Sequence, residues 1–205
     1  MDAPRDAPRD APTGLVVLDA IDAQISPRDA VLRFLPHRGR RMVGAWCFVD
    51  VYGPWAIGAG EPGMTVPPHS HIGLQTLSWV LDGEVLHRDS LGTTATVTPG
   101  YAALMTAGLG IAHSENTPDG HCGRLHGAQL WIALPDAVRA RPPSFELVGP
   151  ATQVPIEGAT AHVFAGTLAG RSSRLTEGSG LHSPLVGAEW RGCRSRRHTS
   201  ICFCR

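Results

Sequence analysis

Apolar residues recur at every second position along much of this chain, in short runs broken by glycine and proline. That is the period of a strand with one buried face. Residues 14–22 are predicted as the first strand, and residues 33–41 as a loop holding Pro36, Gly39 and the cluster Arg38, Arg40 and Arg41. Val43, Ala45, Cys47, Val49 and Val51 alternate with Gly44, Trp46, Phe48 and Asp50, so residues 42–52 are predicted as a buried strand that ends at Gly53-Pro54. Residues 74–81 form the next strand, closed by the hairpin pair Asp82-Gly83, and residues 84–89 answer it. Residues 93–98 stop at Pro99-Gly100, residues 102–106 lead to the turn Gly108-Leu109-Gly110, and residues 125–134 close the series. Ala161, Val163 and Ala165 alternate within a further set over 154–170. Short strands at such spacing predict an all-β sandwich or barrel.

Composition supports this. Gly 24 and Pro 17 in 205 residues supply the turn chemistry that many short strands need. Formal net charge is zero, which gives no global drive toward nucleic acid or anionic membrane. All the basic residues are arginine, a bias that genome composition explains. No apolar run is long enough to span a bilayer. Met1 is followed by no apolar signal-peptide core, and the five cysteines form no disulfide framework, so a reducing cytoplasm is expected.

The two ends differ from the body. Residues 1–13 carry a repeated Asp-Ala-Pro-Arg with no apolar face, and are expected to be disordered. Residues 191–205 are rich in Arg and Cys. Without them the chain has 13 Arg against 18 acidic residues, a net charge of about −5. Such a tail suits either a nucleic-acid-binding arm or the product of a reading-frame change, and the second reading is preferred, with no direct nucleic-acid contact expected.

The chemistry concentrates in two short segments. His69 and His71 stand two apart, so on a strand both imidazoles face one side. His113 and Glu115 repeat that spacing further along, with a carboxylate in place of one imidazole. A lone His-x-His is more often a surface or core pair. Together the two segments offer three neutral nitrogens and one anionic oxygen, a set that suits iron, copper, manganese, nickel or zinc. The surrounding pattern is Gly63-x5-His69-x-His71-x4-Thr76-x6-Gly83 and Gly110-x2-His113-x-Glu115-Asn116. It resembles the two motifs of the cupin superfamily, with Thr76 where a Glu normally stands and Glu115 supplying the carboxylate instead.

That exchange is characteristic of pirins. Residues 35–54, 67–76, 82–92, 105–115 and 126–134 resemble the pirin N-terminal cupin domain, and the likeness extends over about residues 14–190. Val51 departs from it, since many relatives carry His before the aromatic-Gly-Pro. The resemblance implies a cupin (jelly-roll) barrel over 14–145, with His69, His71, His113 and Glu115 as ligands of Fe(II) or Fe(III). Cu, Ni, Mn or Zn are the alternatives. Pirins are bicupins. Residues 146–190, including the run after His182, resemble a linker and the start of a second barrel whose remainder is absent, so a truncated or frame-shifted chain is expected, with residues 150–205 poorly ordered.

Two activities follow from the resemblance. One is a quercetin 2,3-dioxygenase-type oxidoreductase taking a flavonoid-like aromatic substrate and dioxygen, with Glu115 as the general base for the substrate hydroxyl. The other is a non-enzymatic iron or redox sensor that acts through a protein partner. An inactive truncated relic is the third reading. His87 and Asp89 fit either cavity-lining groups or a structural hydrogen bond. His126 reads as a satisfied barrel histidine, Cys47 as a small core residue, His121-Cys122 as loop, and Cys202-x-Cys204 as lacking a matching ligand pair.

Overall fold

The structure, a computed structural model, describes residues 18–25, 29–156, 158–177, 180–192 and 200–204. The N-terminal repeat and most of the Arg/Cys tail lie outside the described residues. In chain order the elements are β1 (Ile21–Gln24), β2 (Ala30–Leu35), β3 (Trp46–Ile57), β4 (Thr65–His71), β5 (Leu74–Asp82), β6 (Val85–Asp89), β7 (Thr94–Val97), β8 (Ala102–Thr106) and β9 (Ile111–Asn116). There follow β10 (Gly123–Ala133), β11 (Ser144–Val148), β12 (Thr152–Ile156), β13 (Ala159–Ala165), β14 (Thr167–Leu168), β15 (Arg171–Ser172), α1 (Arg174–Glu177), β16 (Val186–Gly192) and β17 (Ser200–Cys204). The all-β expectation holds. No described helix is long and apolar enough to cross a membrane.

A seven-stranded antiparallel sheet in the order β1-β2-β3-β10-β5-β8-β11 faces a four-stranded sheet β4-β9-β6-β7. Side chains of both sheets meet between them. Tyr52, Val80, Ala103 and Leu125 from the larger sheet pack with Val85 and Val97 from the smaller. The outer face of the larger sheet is apolar too. Val49, Leu77, Trp79, Leu104 and Leu130 join Phe164, Ala165, Leu175 and Leu185 in a second core. Both faces of β3 are therefore buried, which explains why its sequence reads as nearly continuous apolar residues rather than as clean alternation.

The C-terminal sheet β12-β13-β16-β17 supplies that cover. Phe164 stacks on Trp79 with centroids 4.8 Å apart. Trp79 Nε1 donates to Glu189 Oε2 at 3.0 Å, and Trp46 Nε1 donates to the Val186 carbonyl at 3.2 Å. Gln75 Nε2 donates to the Gly180 carbonyl at 2.7 Å. The expectation of poor order over 150–205 does not hold for the described part, because it has an apolar sheet face to cover. The backbone of Ser200–Cys204 pairs with Val186–Trp190, so an orderly element returns within the tail.

Four strand expectations change. Of the strand expected over 14–22, residues 14–17 lie outside the described residues, 18–20 are not strand, and β1 begins only at Ile21. Residues 33–35 belong to β2 rather than to a loop, and the reason is Arg33, whose guanidinium pairs with Asp50 on the neighbouring strand. Residues 42–45 form a tight turn, and β3 runs on past Gly53-Pro54 to Ile57. It can do so because an extra residue is accommodated there: Leu125 pairs with Trp55 but Gly127 with Tyr52. Gly53 has φ 74°, and a Cβ on it would lie 2.1 Å from the Leu125 carbonyl, so the bulge requires glycine. Finally, Asp82-Gly83 is not a hairpin. β5 pairs with β10 and β8, while β6 pairs with β7 and β9, so the chain turns a corner from one sheet to the other. A turn dipeptide signals reversal of direction but not which sheet receives the next strand.

Candidate metal centre

β4, β9 and β6 lie side by side in the smaller sheet. His69 is the cross-strand partner of His113, and Glu115 pairs with Val66 on one side and His87 on the other. Between Val66 and His69 the register shifts by one residue at Pro67-Pro68. Prolines have no N–H to lose, so the bulge sits there at little cost and carries His69 level with His113.

The three imidazoles His69, His71 and His113 converge. Their ring centroids lie 4.8, 4.5 and 5.0 Å apart. His71 Nε2 and His113 Nε2 face each other at 3.1 Å. His69 Nδ1 lies 2.9 Å from the Pro67 carbonyl. That contact places the ring proton on Nδ1 and leaves Nε2 with a free lone pair. Burial, with neighbouring His69, lowers the His71 pKa to about 4. Burial, together with the other histidines, lowers that of His113 to about 3. Both rings are neutral at pH 7, as metal ligands must be.

Glu115 is buried, and its Oε1 accepts a 2.5 Å hydrogen bond from Ser78 Oγ. Burial pushes its carboxyl pKa up, against the Ser78 hydrogen bond and the nearby His87 and His69. Among the described residues two groups can hold a metal ion: His69, His71 and His113, and, sharing His113, the set His87, His113 and Glu115. The predicted ligands thus occupy two adjoining clusters joined by His113. The buried Nδ1 of His113 has no hydrogen-bond partner among the described residues. Nitrogen and carboxylate donors without thiolate fit a divalent transition metal.

His87 Nε2 lies within hydrogen-bond distance of Asp89 Oδ2, at 3.2 Å, and the ring stacks on Phe145 at 4.4 Å. Burial works against ionisation of Asp89, but hydrogen bonds with His87 and with the Thr93 and Leu91 amides outweigh it and hold the carboxyl below its usual range. His87 therefore belongs to the cluster as well as to a structural hydrogen bond.

Above the ligands lies a cavity of about 110 Å³ lined chiefly by apolar and aromatic side chains. Phe48 and Trp131 form a stacked pair with centroids 4.1 Å apart, and Trp131 meets His71 edge-on at 5.0 Å. The Arg33 guanidinium sits 4.6 Å over Phe48 and binds both Asp50 oxygens at 2.8 and 2.7 Å. Asp50 and Gln129 line the same cavity. These groups were not singled out as site residues from sequence, although alternation along β3 and β10 places Phe48, Asp50, Gln129 and Trp131 on one face.

Other candidates lie apart. His126 has Arg124, Asp82 and Glu189 as its charged neighbours, none of them a predicted ligand. Cys122 is exposed, Cys47 is half-buried with its thiol 3.5 Å from the Trp131 carbonyl, and Arg38, Arg40 and Arg41 are exposed. Thr76 is buried on β5, and Val51 packs against the outer core.

A two-sheet antiparallel barrel with a His/Glu cluster facing its cavity defines a cupin. The family model described as Pirin matches residues 27–132, and the chain belongs to the pirin family. It is 46% identical over 168 residues to a Pseudomonas aeruginosa protein named "Putative quercetin 2,3-dioxygenase", covering 82% of this chain and 51% of that one. It is 41% identical over 164 residues to a Caulobacter vibrioides "Pirin-like protein", covering 77% of this chain and 56% of that one. The crystal structure of a quercetin 2,3-dioxygenase from Acinetobacter baumannii superposes with a TM-score of 0.79 at 41% identity, covering 84% of this chain and 56% of the other. The chain thus spans about half the length of these curated relatives.

Proposed function

We propose that this chain is an iron-dependent pirin with oxidoreductase activity of the quercetin 2,3-dioxygenase type, holding the metal through His69, His71, His113 and Glu115. The observation that carries this reading is the convergence of three imidazoles, beside a buried carboxylate, at a cavity walled by stacked aromatic rings. The relatives named for this activity support it. Copper, nickel, manganese and zinc suit the same donors, and iron is the assignment made here.

When bound, iron would supply Lewis acidity and one-electron chemistry toward dioxygen. The protein's own groups do the rest. Phe48 and Trp131, stacked on each other, give the cavity an aromatic wall against which a planar aromatic ring can pack. The apolar wall keeps bulk water from the reacting atoms. Glu115 accepts the proton of a substrate hydroxyl, a role that its raised pKa favours.

The test is oxygen uptake by the iron-loaded chain with quercetin. Uptake over many turnovers is expected, reduced about 10²- to 10⁴-fold in Glu115→Gln. Uptake no faster than with free iron would contradict the enzymatic reading and favour a pirin that works through a protein partner.

A further inference from the structure

One level of the larger sheet carries a row of polar residues across four strands. Arg33 pairs across strands with Asp50, Asp50 with Gln129, and Gln129 with Ser78. These four residues form a row that crosses β2, β3, β10 and β5. The row ends at Glu115 on the facing sheet, because Ser78 Oγ lies 2.5 Å from Glu115 Oε1. Ser78 Oγ also lies 2.8 Å from the Gln129 side-chain oxygen.

A serine hydroxyl has one proton, and two acceptor oxygens compete for it. Both contacts cannot be satisfied as they stand. The amide nitrogen and oxygen of a glutamine are nearly isosteric, so turning the Gln129 amide over resolves the conflict without moving a heavy atom. Gln129 N–H then donates to Ser78 Oγ, and Ser78 O–H donates to Glu115 Oε1. Each proton is used once, and the chain delivers a donor to a carboxylate that must be ionised to bind a cation. The reverse direction would place a proton on Glu115 and cancel the charge that suits the metal.

We propose that Ser78 and Gln129 are positioning residues for Glu115, fixing Oε1 through a Gln129–Ser78–Glu115 hydrogen-bond chain and leaving the other carboxylate oxygen free for a cation. This rests on the ligand assignment proposed above. Ser78 has little else to do. It is 3% exposed, and a hydroxyl at an inward position of a central strand costs free energy unless it is used. A short bond to a carboxylate is among the stronger hydrogen bonds available to it. Groups that orient a ligand from behind typically change metal affinity rather than the fold.

The experiment is titration of the full metal-free chain with Co(II), read through cobalt's visible bands, for the parent and for Ser78→Ala, Ser78→Thr, Gln129→Met and His69→Ala. Ser78→Ala is expected to weaken cobalt binding about 10- to 100-fold and to shift the bands, while Ser78→Thr, which keeps the hydroxyl, stays within about threefold of the parent. Gln129→Met is expected to fall between them. Metal-free Ser78→Ala is expected to fold with a lowered unfolding midpoint, because the buried Glu115 carboxylate loses a donor, so affinities are compared under conditions where every variant is fully folded. If Ser78→Ala does not fold, Gln129→Met carries the test, and parent-like affinity in it overturns the inference. Parent-like affinity and bands in Ser78→Ala, with cobalt lost in His69→Ala, would also overturn it while leaving the ligand set standing. Parent-like cobalt binding in His69→Ala would bring down the ligand assignment and this inference with it.

Discussion

Phe164 offers a direct check on how the C-terminal sheet stabilises the barrel. Its ring is 2% exposed, stacks on Trp79 at 4.8 Å, and lies where a Cβ on Gly187 would come within 2.3 Å of it. Phe164→Ala removes a ring enclosed from both sides, and the surrounding strands cannot collapse onto the space. Truncations of this kind cost about 3–5 kcal/mol, from lost burial plus the cavity left behind. For a chain of this size that corresponds to a fall in Tm of roughly 6–20 °C. Urea unfolding followed by tryptophan fluorescence would measure it, since Trp79 sits at the contact. Metal affinity should change little, because the ligands lie in the smaller sheet and the cavity, on the far face of the larger one. A loss below about 0.5 kcal/mol would refute the packing argument, being no more than a surface substitution costs.

Gly127→Ala should destabilise the fold by about 1–3 kcal/mol, because the new Cβ would lie 2.2 Å from the Tyr52 hydroxyl and 2.9 Å from the Trp79 carbonyl. Thermal unfolding would show it, and the Tyr52→Phe background should relieve part of the cost. The metal-free protein should lose stability as pH falls from about 6.5 to about 3. His71 and His113 have folded pKa values near 4 and 3, below the ordinary 6.5, so at these two residues the unfolded chain binds more protons across that window, while the raised carboxyl of Glu115 works the other way near its own titration. Denaturation midpoints measured at successive pH values would check this, and His113→Ala should flatten the slope. A midpoint independent of pH in both proteins would contradict it.

Much of the barrel was legible in the sequence because its strands are short and bounded by Gly and Pro. The strand expected at 74–81 is Leu74–Asp82, and the one expected at 102–106 is Ala102–Thr106. What alternation could not reveal was which sheet a strand joins, hence the misreading of Asp82-Gly83 as a hairpin. Nor could it show that Gly53-Pro54 is absorbed as a bulge, since that depends on Leu125 approaching from a strand far along the chain. His69, His71, His113 and Glu115 stood out through their i, i+2 spacing. Ser78 and Gln129 did not, because a lone Ser or Gln at an inward position carries no spacing signal. Their meaning comes from the register that sets β5 beside β10 and from the facing Glu115. Arg33 was hidden in a predicted loop, and only its pairing with Asp50 marks it as strand.

The measurement closest to the central claim is the metal content of the purified chain by mass spectrometry, beside His69→Ala and Glu115→Ala. About one equivalent of iron per chain, as a single site requires, is expected in the parent and is expected to be lost in both variants. A parent that arrives empty and takes up no Fe(II), or variants that hold iron as well as the parent does, would contradict the assignment of these residues as the metal centre.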